Sequence, residues 1–429
     1  MKILMLLVFF WPAFALGQYG YPIKSPFFAA VAGTPEALSV LPGSEVISEV
    51  TLRVHTSSDK KKQVPDLFSE VDSPAFKLAW QNKAAPMVFI IAGTGGRYDT
   101  QKVEYLKAIY YGNGYHVVQL SSPTSFDFIV NSSGSHRPGL ARQDAEDIYV
   151  LMQSVLKRIE LFKKLSITDI HLTGYSLGAL NAAWVGYLDE RQKKIGFDRI
   201  LLMNPPVYLQ VSLNNLDKMI LAKVPGVTDS NTLFEHFFTK LANYFRLHKS
   251  IDVDKGMMFD LQKSNKALTD EELALLIGLS FRFSVASMTF TSDIMNRSGL
   301  VVPKGLTITD TDSRTPYFRQ VMHCSFDCYL HRMLLPVLNV TPPFKTTAQH
   351  LNDNSLPPLK RWLEKSSRVG VMHNADDFIL DQKGLTFLYD VFGKRAMIYP
   401  RGGHMGNLQY KDNVRDMLWF MKNGAFPDA

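Results

Sequence analysis

The stretch HLTGYSLGAL, residues 171–180, decides how this sequence is interpreted. It contains a G-x-S-x-G pattern with Ser176 at its centre. Because glycine and serine each make up about 7% of an average protein, the pattern arises by chance in roughly one chain in seven of this length, so its setting has to decide. A short strand is predicted before it at residues 167–172 and a helix after it at residues 179–188. Ser176 is therefore predicted to lie on a sharp strand-to-helix turn, where a serine hydroxyl stands above the edge of a sheet.

Strands and helices alternate on both sides of this turn. Residues 86–91 (PMVFII) form a continuous apolar run, as expected for a strand that is buried on both faces of a sheet. The sequence predicts further strands at residues 46–56, 116–120, 199–203, 368–373 and 395–399, and further helices at residues 102–111, 142–160 and 412–423. This alternation predicts an α/β fold with a mostly parallel central sheet flanked by helices.

The alternation is interrupted after Pro206. Residues 207–366 are predicted to be mainly helical and are rich in aromatic and methionine residues between positions 234 and 290, and Thr269-Asp270-Glu271-Glu272 is a capping box that opens one helix. The apolar residues would form a core of their own, line an apolar pocket above the sheet, or do both. The predicted organisation is one domain, with core residues 18–206 and 367–429 and a helical cap at residues 207–366, inserted after the strand that ends near Met203.

Composition and charge exclude some classes of protein. The chain has 429 residues, of which 46% are hydrophobic and 20% charged, and this is typical of a globular protein with a sizeable core. The net charge is +7, but the Lys and Arg residues are scattered along the sequence. No basic stripe interleaved with aromatic residues is present, which argues against a nucleic acid as partner.

The N-terminus has the features of a secretory signal peptide. Lys2 precedes an apolar run at residues 3–11, and small residues follow at alternate positions. Cleavage after Ala15 or Gly17 would remove residues 1–17. The run is too short to span a bilayer, and no later run of 18 uncharged apolar residues follows. We therefore expect an exported protein, periplasmic or secreted, without stable membrane insertion.

The chain contains two cysteines, Cys324 and Cys328, four positions apart. An oxidising compartment favours a local disulfide between them. The alternative is a metal site that uses His323 and His331 as further ligands, but this spacing matches no strong ligand pattern. The disulfide is the preferred interpretation, and no metal is expected.

A serine hydroxyl is a weak nucleophile and needs a histidine base that an acid holds in the right tautomer. His404 follows the predicted strand 395–399 directly, and Asp377 follows the predicted strand 368–373. Because the carboxyl ends of parallel strands meet at one edge of a sheet, both loops are expected to lie near Ser176. The helix behind Ser176 presents unpaired N–H groups, and that of Leu177 is in position to stabilise an oxyanion.

These motifs resemble those of the α/β-hydrolase superfamily, in the order serine, aspartate, histidine. The resemblance covers the framework on both sides of the insertion, and it implies that Ser176 is the nucleophile, His404 the general base and Asp377 its partner. The glycine loop at residues 93–96 is similar to the family's other oxyanion-hole loop, although Ala92 stands where the family usually has histidine. By position, Thr94 would offer the second N–H group.

Asp376 is the nearest rival for the role of the acid, because a loop carboxylate can turn either way. In the family pattern the acid precedes one residue and then an aliphatic pair, which favours Asp377 before Phe378-Ile379-Leu380. Four other polar residues are interpreted as structural: His136, His171, Asp310 and Asp312.

Together these features predict an exported serine hydrolase that cleaves an ester through an acyl-enzyme. The aromatic and methionine content of the cap favours a carboxylic ester with an apolar acyl or aryl group, a small-molecule or lipid-like substrate. No cofactor is expected. A serine peptidase or amidase on the same frame is the first alternative, and a catalytically silent secreted binding protein is the second. The sequence does not indicate an oligomeric state.

Overall fold

A computed structural model describes residues 19–54, 64–69, 71, 73–228, 232, 267–309, 311–340 and 342–427. The predicted signal peptide at residues 1–17, the aromatic residues predicted for the cap between positions 234 and 259, and Asp310 lie outside the described residues. The predictions made for them stay predictions.

Eight strands form one sheet: β1 Glu49–Arg53, β2 Ala75–Ala79, β3 Ala85–Ile91, β4 His116–Leu120, β5 Ile167–Tyr175, β6 Phe197–Met203, β7 Val369–Asn374 and β8 Ala396–Tyr399. Their order across the sheet is β1-β2-β4-β3-β5-β6-β7-β8. Strand β2 is antiparallel to both of its neighbours, and β3 to β8 pair in parallel. The predicted fold class, a mostly parallel α/β-hydrolase sheet, is confirmed.

Strand β2 is the one strand of this sheet that the sequence did not predict. It has only five residues, AFKLA, and the half-exposed Lys77 lies in its middle. Its place is fixed by antiparallel pairing with Arg53 on one side and with Gln119 on the other, in the registers Arg53 with Ala75 and Lys77 with Gln119. Such pairing leaves little trace in the local sequence.

The described helices are α1 Pro26–Ala32, α2 Gln101–Gly112, α3 Phe126–Asn131, α4 Ala141–Phe162, α5 Leu177–Gln192, α6 Leu209–Met219, α7 Asp270–Asn296, α8 Thr315–Val321, α9 Phe326–Tyr329, α10 Leu335–Leu338, α11 Thr347–Asp353, α12 Lys360–Lys365, α13 Gln382–Phe392 and α14 Lys411–Asn423. A π-helical turn, Leu330–Leu334, joins α9 to α10, and short 3-10 helices lie at Glu36–Leu38, Asp66–Phe68, Pro357–Leu359 and Gly393–Arg395. The helices predicted at residues 102–111, 142–160, 179–188 and 412–423 are all present.

Apolar side chains cover both faces of the sheet. Along β3, Met87, Phe89 and Ile91 belong to one buried cluster, whereas Val88 and Ile90 belong to the other. Neighbouring residues of a strand point to opposite faces, so a continuous apolar run is what a sheet covered on both sides requires. Helices α4, α5 and α13 contribute to the first cluster, and α1, α2 and α14 contribute to the second.

The described part of the insertion between β6 and β7 is mainly helical. Most of its buried side chains join the cluster on the first face of the sheet, and a smaller cluster around Phe290 and Val321 belongs to the insertion itself. Helix α7 opens with the predicted capping box, in which Thr269 and Glu272 bond to each other's backbone N–H groups. The domain boundaries at residues 206 and 366 stay predictions.

Helix α7 is long and apolar enough to cross a membrane by length and composition, with a mean hydropathy of 1.7 over 18 residues. However, 56% of that window is buried inside the protein. Phe281, Val285 and Met288 pack into the main core from one side of this helix. The apolar character of α7 is therefore accounted for by its contacts with the rest of the chain.

Cys324 and Cys328 form a disulfide with Cα atoms 5.2 Å apart, within the range that a disulfide needs. His331, the histidine considered with them, bonds instead through its ring Nδ1 to the backbone oxygen of Asp327, at 2.9 Å.

Candidate active site

Ser176 lies on a strained turn between β5 and α5. Its φ is +54° and its ψ is −127°, a conformation that a residue with a side chain rarely adopts and that costs about 1–3 kcal/mol. The N–H group of Ser176 donates to the backbone oxygen of Met203 at the end of β6, at 2.9 Å. The backbone is therefore held so that the hydroxyl projects away from the end of β5.

The two glycines of the motif let backbone segments approach closely around Ser176. A Cβ atom on Gly174 would lie 2.3 Å from the backbone oxygen of Gly178. A Cβ atom on Gly178 would lie 2.4 Å from the backbone oxygens of Ile91 and Ala92. No side chain fits at either position, so the turn requires glycine at both.

His404 links Ser176 to Asp377. Its Nε2 atom lies 2.9 Å from Ser176 Oγ, and its Nδ1 atom lies 2.9 Å from Asp377 Oδ2. The three side chains come from the loops after β5, β7 and β8, as the sequence predicts. This is the geometry in which an imidazole takes the proton of a serine hydroxyl while a carboxylate holds its other nitrogen.

The side chain of Asp377 is fully buried. Burial favours its neutral form, but electrostatic interaction with His404 and His373 and hydrogen bonds to the carboxylate outweigh this effect and hold its pKa below the usual value. Asn204 Nδ2 donates to Oδ2 at 2.8 Å, and the Ile379 N–H donates to Oδ1 at 3.1 Å. These donors favour the charged form of the buried carboxylate.

Asp376, the rival candidate, has a different set of partners. Its two carboxylate oxygens accept the N–H groups of Gly402 and Gly403, at 3.1 and 2.8 Å. Burial raises its pKa, against the lowering effect of these two hydrogen bonds. The structure therefore brings Asp377 to His404, and Asp376 to the backbone of the loop that precedes His404.

An N-terminal segment, residues 19–34, packs against the His404 loop, residues 400–407. A Cβ atom on Gly403 would lie 2.1 Å from the backbone oxygen of Pro26, and Gly403 has a φ of +55°. The contact therefore requires glycine at this position. Phe27 stacks on Phe378 with ring centres 5.4 Å apart, and the ring of Phe378 lies 5.9 Å from that of His404. The sequence did not predict this segment as part of the site.

A chain of buried hydrogen bonds connects the N-terminal segment to the His404 loop. Asn374 Nδ2 donates to the backbone oxygen of Gly403 at 2.7 Å. Asn407 Nδ2 donates both to Asn374 Oδ1, at 2.6 Å, and to the hydroxyl oxygen of Tyr19, at 2.8 Å. Tyr19 in turn donates to Asn413 Oδ1 at 2.7 Å. The position of the His404 loop therefore depends on residues at both ends of the chain.

The two predicted oxyanion donors lie beside Ser176. Leu177 is the first residue of α5, where backbone N–H groups have no acceptor within the helix. Thr94 lies in the loop after β3, in which the N–H of Gly95 donates to Thr124 Oγ1 at 2.8 Å and that of Gly96 donates to the backbone oxygen of Gly93 at 2.9 Å. Thr94, Ser176 and Leu177 line the same cavity.

Two cavities meet at Ser176. The first is lined mainly by apolar side chains of α6 and α7. The second is more open and is bordered by His404, Phe378, α1 and the start of α2. Ser176, Thr94, Leu216, Phe281 and Ser284 line both. A substrate can thus extend from Ser176 in two directions.

Three of the residues interpreted as structural have partners outside the triad. His171 is buried beside Tyr115, and burial lowers its pKa. His136 contacts the backbone oxygen of Ile129 through Nδ1, and Asp312 accepts from the backbone and side chain of Thr309.

No family model matches this sequence, and no curated protein matches it by sequence. Among solved structures it is similar to a proline iminopeptidase of Mycobacterium smegmatis, with a TM-score of 0.42 and 12% identity over 87% of this chain and 98% of that chain. It is also similar to an esterase of Pyrococcus furiosus, with a TM-score of 0.41 and 10% identity over 91% and 99%. Est1E of Butyrivibrio proteoclasticus has a TM-score of 0.37 and 9% identity over 87% and 96%.

The order and pairing of the strands define the fold, and the distances among Ser176, His404 and Asp377 define the chemistry of the site.

Proposed function

We propose that this protein is an exported serine hydrolase that cleaves carboxylic esters with an apolar acyl group. The observation that carries the proposal is the contact of His404 with both Ser176 Oγ and Asp377 Oδ2, each at 2.9 Å. The strained conformation of Ser176 supports it, because backbone strain at a serine is expected where the hydroxyl has a chemical task.

In the proposed reaction, Ser176 Oγ attacks the ester carbonyl while His404 Nε2 accepts its proton. Asp377 holds the Nδ1–H group and stabilises the imidazolium that forms. The N–H groups of Leu177 and Thr94 would hold the oxyanion. The C–O bond to the alcohol then breaks, and His404 returns the proton to the departing oxygen. Water hydrolyses the acyl-enzyme by the same steps in reverse order.

The export of the protein is a separate proposal. It is supported by Lys2 and the apolar run after it. The buried hydroxyl of Tyr19, which is bonded to Asn407 and Asn413, bears on the cleavage site, because it requires Tyr19 in the mature chain. Cleavage after Ala15 or after Gly17 leaves Tyr19 in the mature chain. N-terminal sequencing of the exported protein tests the proposed cleavage site. A new N-terminus beyond Tyr19 would contradict that site.

Hydrolysis of p-nitrophenyl esters tests the proposed reaction. We expect turnover by the wild type, and a loss of at least about 10³-fold in kcat for Ser176→Ala and His404→Ala. Ser154→Ala on the exposed face of α4 and His331→Ala are the matched controls and keep full activity. If the protein does not hydrolyse esters but cleaves p-nitroanilides, it is a peptidase or amidase and not an esterase. Absence of both would favour a silent binding protein.

A further inference from the structure

The two cavities that meet at Ser176 differ in their chemistry and in their relation to His404. His404, Phe378 and Met405 border the open cavity, whereas the residues that line the apolar cavity do not include His404. Resting on the proposed function, we infer that the apolar cavity holds the acyl chain and that the open cavity holds the alcohol. The substrate class is then an ester that joins an apolar acid to a polar alcohol.

The direction follows from the path of the proton. When the tetrahedral intermediate collapses, the bond between the carbonyl carbon and the alcohol oxygen breaks, and that oxygen takes the proton from His404 Nε2. The departing oxygen must therefore lie within hydrogen-bond distance of His404. Since His404 borders only the open cavity, the alcohol extends into that cavity. The acyl group, which is bonded to Ser176 Oγ, then extends into the apolar cavity.

The lining of the apolar cavity suits a hydrocarbon chain. Helix α7 presents Phe281, Val285 and Met288 to it at helical spacing, and α6 presents Leu209 and Leu213 in the same way. These side chains offer no group that pairs with a polar substrate. An apolar chain that enters this cavity gains about 25 cal/mol for each Å² of apolar surface removed from water.

Three hydroxyl groups in the wall of this cavity are bonded within the protein. Ser212 Oγ donates to the backbone oxygen of Ile379 at 2.7 Å, and Thr124 Oγ1 accepts the Gly95 N–H at 2.8 Å. Ser284 Oγ donates to the backbone oxygen of Ser280 at 3.2 Å. These three hydroxyls are engaged within the protein, and a polar alcohol would lose hydration against the apolar part of this wall.

The open cavity has a mixed border that is more polar than that of the apolar cavity. Thr100, Gln101, Lys102 and Ser280 lie there beside apolar side chains such as that of Phe378. Lys102 and Ser280 are exposed, so a bound alcohol keeps contact with water. A hydroxylated alcohol, such as a polyol, can therefore bind in this cavity without losing its hydration.

Two matched substitutions separate the roles of the cavities. Leu213 lines only the apolar cavity and Leu276 only the open one, and both are half-buried leucines on helices of the insertion. Leu213→Trp and Leu276→Trp each add the same bulk to one cavity. Leu221→Trp, at a position that is 74% exposed, controls for the substitution itself.

The measurements are the decay of the acyl-enzyme, followed by mass spectrometry, and the relative rates on two ester series. One series varies the acid, from acetyl to palmitoyl, with p-nitrophenol as the common leaving group. The other varies the alcohol, from methanol to glycerol, with one acid. Decay of the acyl-enzyme depends on the acyl group alone, because the alcohol has already left.

We expect Leu213→Trp to lower kcat/KM on long-chain acids at least 10-fold relative to acetyl, and to change the decay of a long-chain acyl-enzyme. Leu276→Trp changes the ratio of kcat/KM on the glycerol ester to kcat/KM on the methyl ester at least 10-fold. It leaves the decay of every acyl-enzyme at the wild-type rate. If Leu276→Trp instead shortens the preferred acid and Leu213→Trp acts on the alcohol, the inference is overturned while the serine hydrolase stands. If no variant and no wild type forms an acyl-enzyme on Ser176, the proposed function itself fails.

Discussion

The triad edge of the sheet and the helical insertion above it are built by different rules. At the edge, Ser176, Asp377 and His404 each follow a strand, and their loops contain positions that only glycine or a strained residue occupies, such as Gly174 and Gly403. In the insertion, α6 and α7 present stripes of apolar side chains whose sizes set the shape of a cavity. Substitutions at the edge should therefore abolish the reaction, whereas substitutions in the insertion should change its selectivity.

Among substitutions that test the difference between the triad edge and the insertion, the largest loss of kcat is expected at Asp377. Asp377→Asn removes the charge that holds His404 Nδ1–H and leaves the imidazole in the wrong tautomer. In other triads this change costs about 10⁴-fold in kcat, and we expect a loss of the same order here. Steady-state kinetics on a p-nitrophenyl ester measures it.

Asp376→Asn is the matched control for the neighbouring carboxylate. It disturbs one of the two hydrogen bonds to Gly402 and Gly403 but leaves the partner of His404 in place. We expect a loss of less than about 10-fold in kcat, since the cost of one such hydrogen bond is about 1 kcal/mol. Equal losses in the two variants would show that the carboxylates share the role assigned to Asp377.

The next effect tests whether the N-terminal segment belongs to the triad edge. Tyr19→Phe leaves Asn407 Nδ2 and Asn413 Oδ1 without their hydroxyl partner and loosens the His404 loop. We expect kcat to fall by about 10- to 100-fold with KM nearly unchanged, because small displacements of a catalytic group have effects of this size.

Tyr149→Phe provides the matched control for Tyr19→Phe. Tyr149 is also a buried tyrosine, and its hydroxyl donates to Asp189 Oδ1 at 2.6 Å, away from the His404 loop. Both substitutions should lower the free energy of unfolding by about 1–3 kcal/mol. A fall in kcat of the same size in both variants would mean that Tyr19 acts on stability alone.

The smallest effect concerns stability at the place where the insertion meets the core. Asp144 is buried and accepts the N–H of Gly139, which packs against Phe326 of the insertion. Burial raises the pKa of Asp144 from 3.8 to about 8. Since the folded state binds the proton more tightly than the unfolded state, this contribution to stability is present below pH 3.8 and is lost as the pH rises towards about 8.

Asp144→Asn should remove this dependence while it keeps an acceptor for Gly139. Between pH 5 and pH 7 we expect the wild type to lose about 1–3 kcal/mol of stability relative to the variant, measured by urea unfolding. Parallel stability curves for the two proteins over this pH interval would contradict the raised pKa.

The triad edge was predictable from the sequence because its signals are local. A strand, a G-x-S-x-G turn and a helix lie within 26 residues, Ile167–Gln192, and the loops with Asp377 and His404 each follow a recognisable strand. The choice between Asp376 and Asp377 depended on the resemblance to the family, and the structure brings Asp377 to the histidine.

The support of the His404 loop was not predictable in the same way. The contacts of Tyr19 with Asn407 and Asn413 join residues 388 and 394 positions apart, and no periodicity links such positions. Strand β2 was not predicted for a related reason, because a pattern of five residues is too short to indicate which strand it pairs with. The path of the insertion depends on the sizes of packed side chains, which composition does not specify.

The most direct test of the account is covalent labelling of Ser176 by a fluorophosphonate, with the rate measured for the wild type and for Tyr19→Phe. The account predicts stoichiometric labelling of the wild type on the peptide that contains Ser176, none in Ser176→Ala, and slower labelling in Tyr19→Phe. A folded wild type that neither a fluorophosphonate nor a smaller phosphonate labels would contradict the central claim that Ser176 is an activated nucleophile.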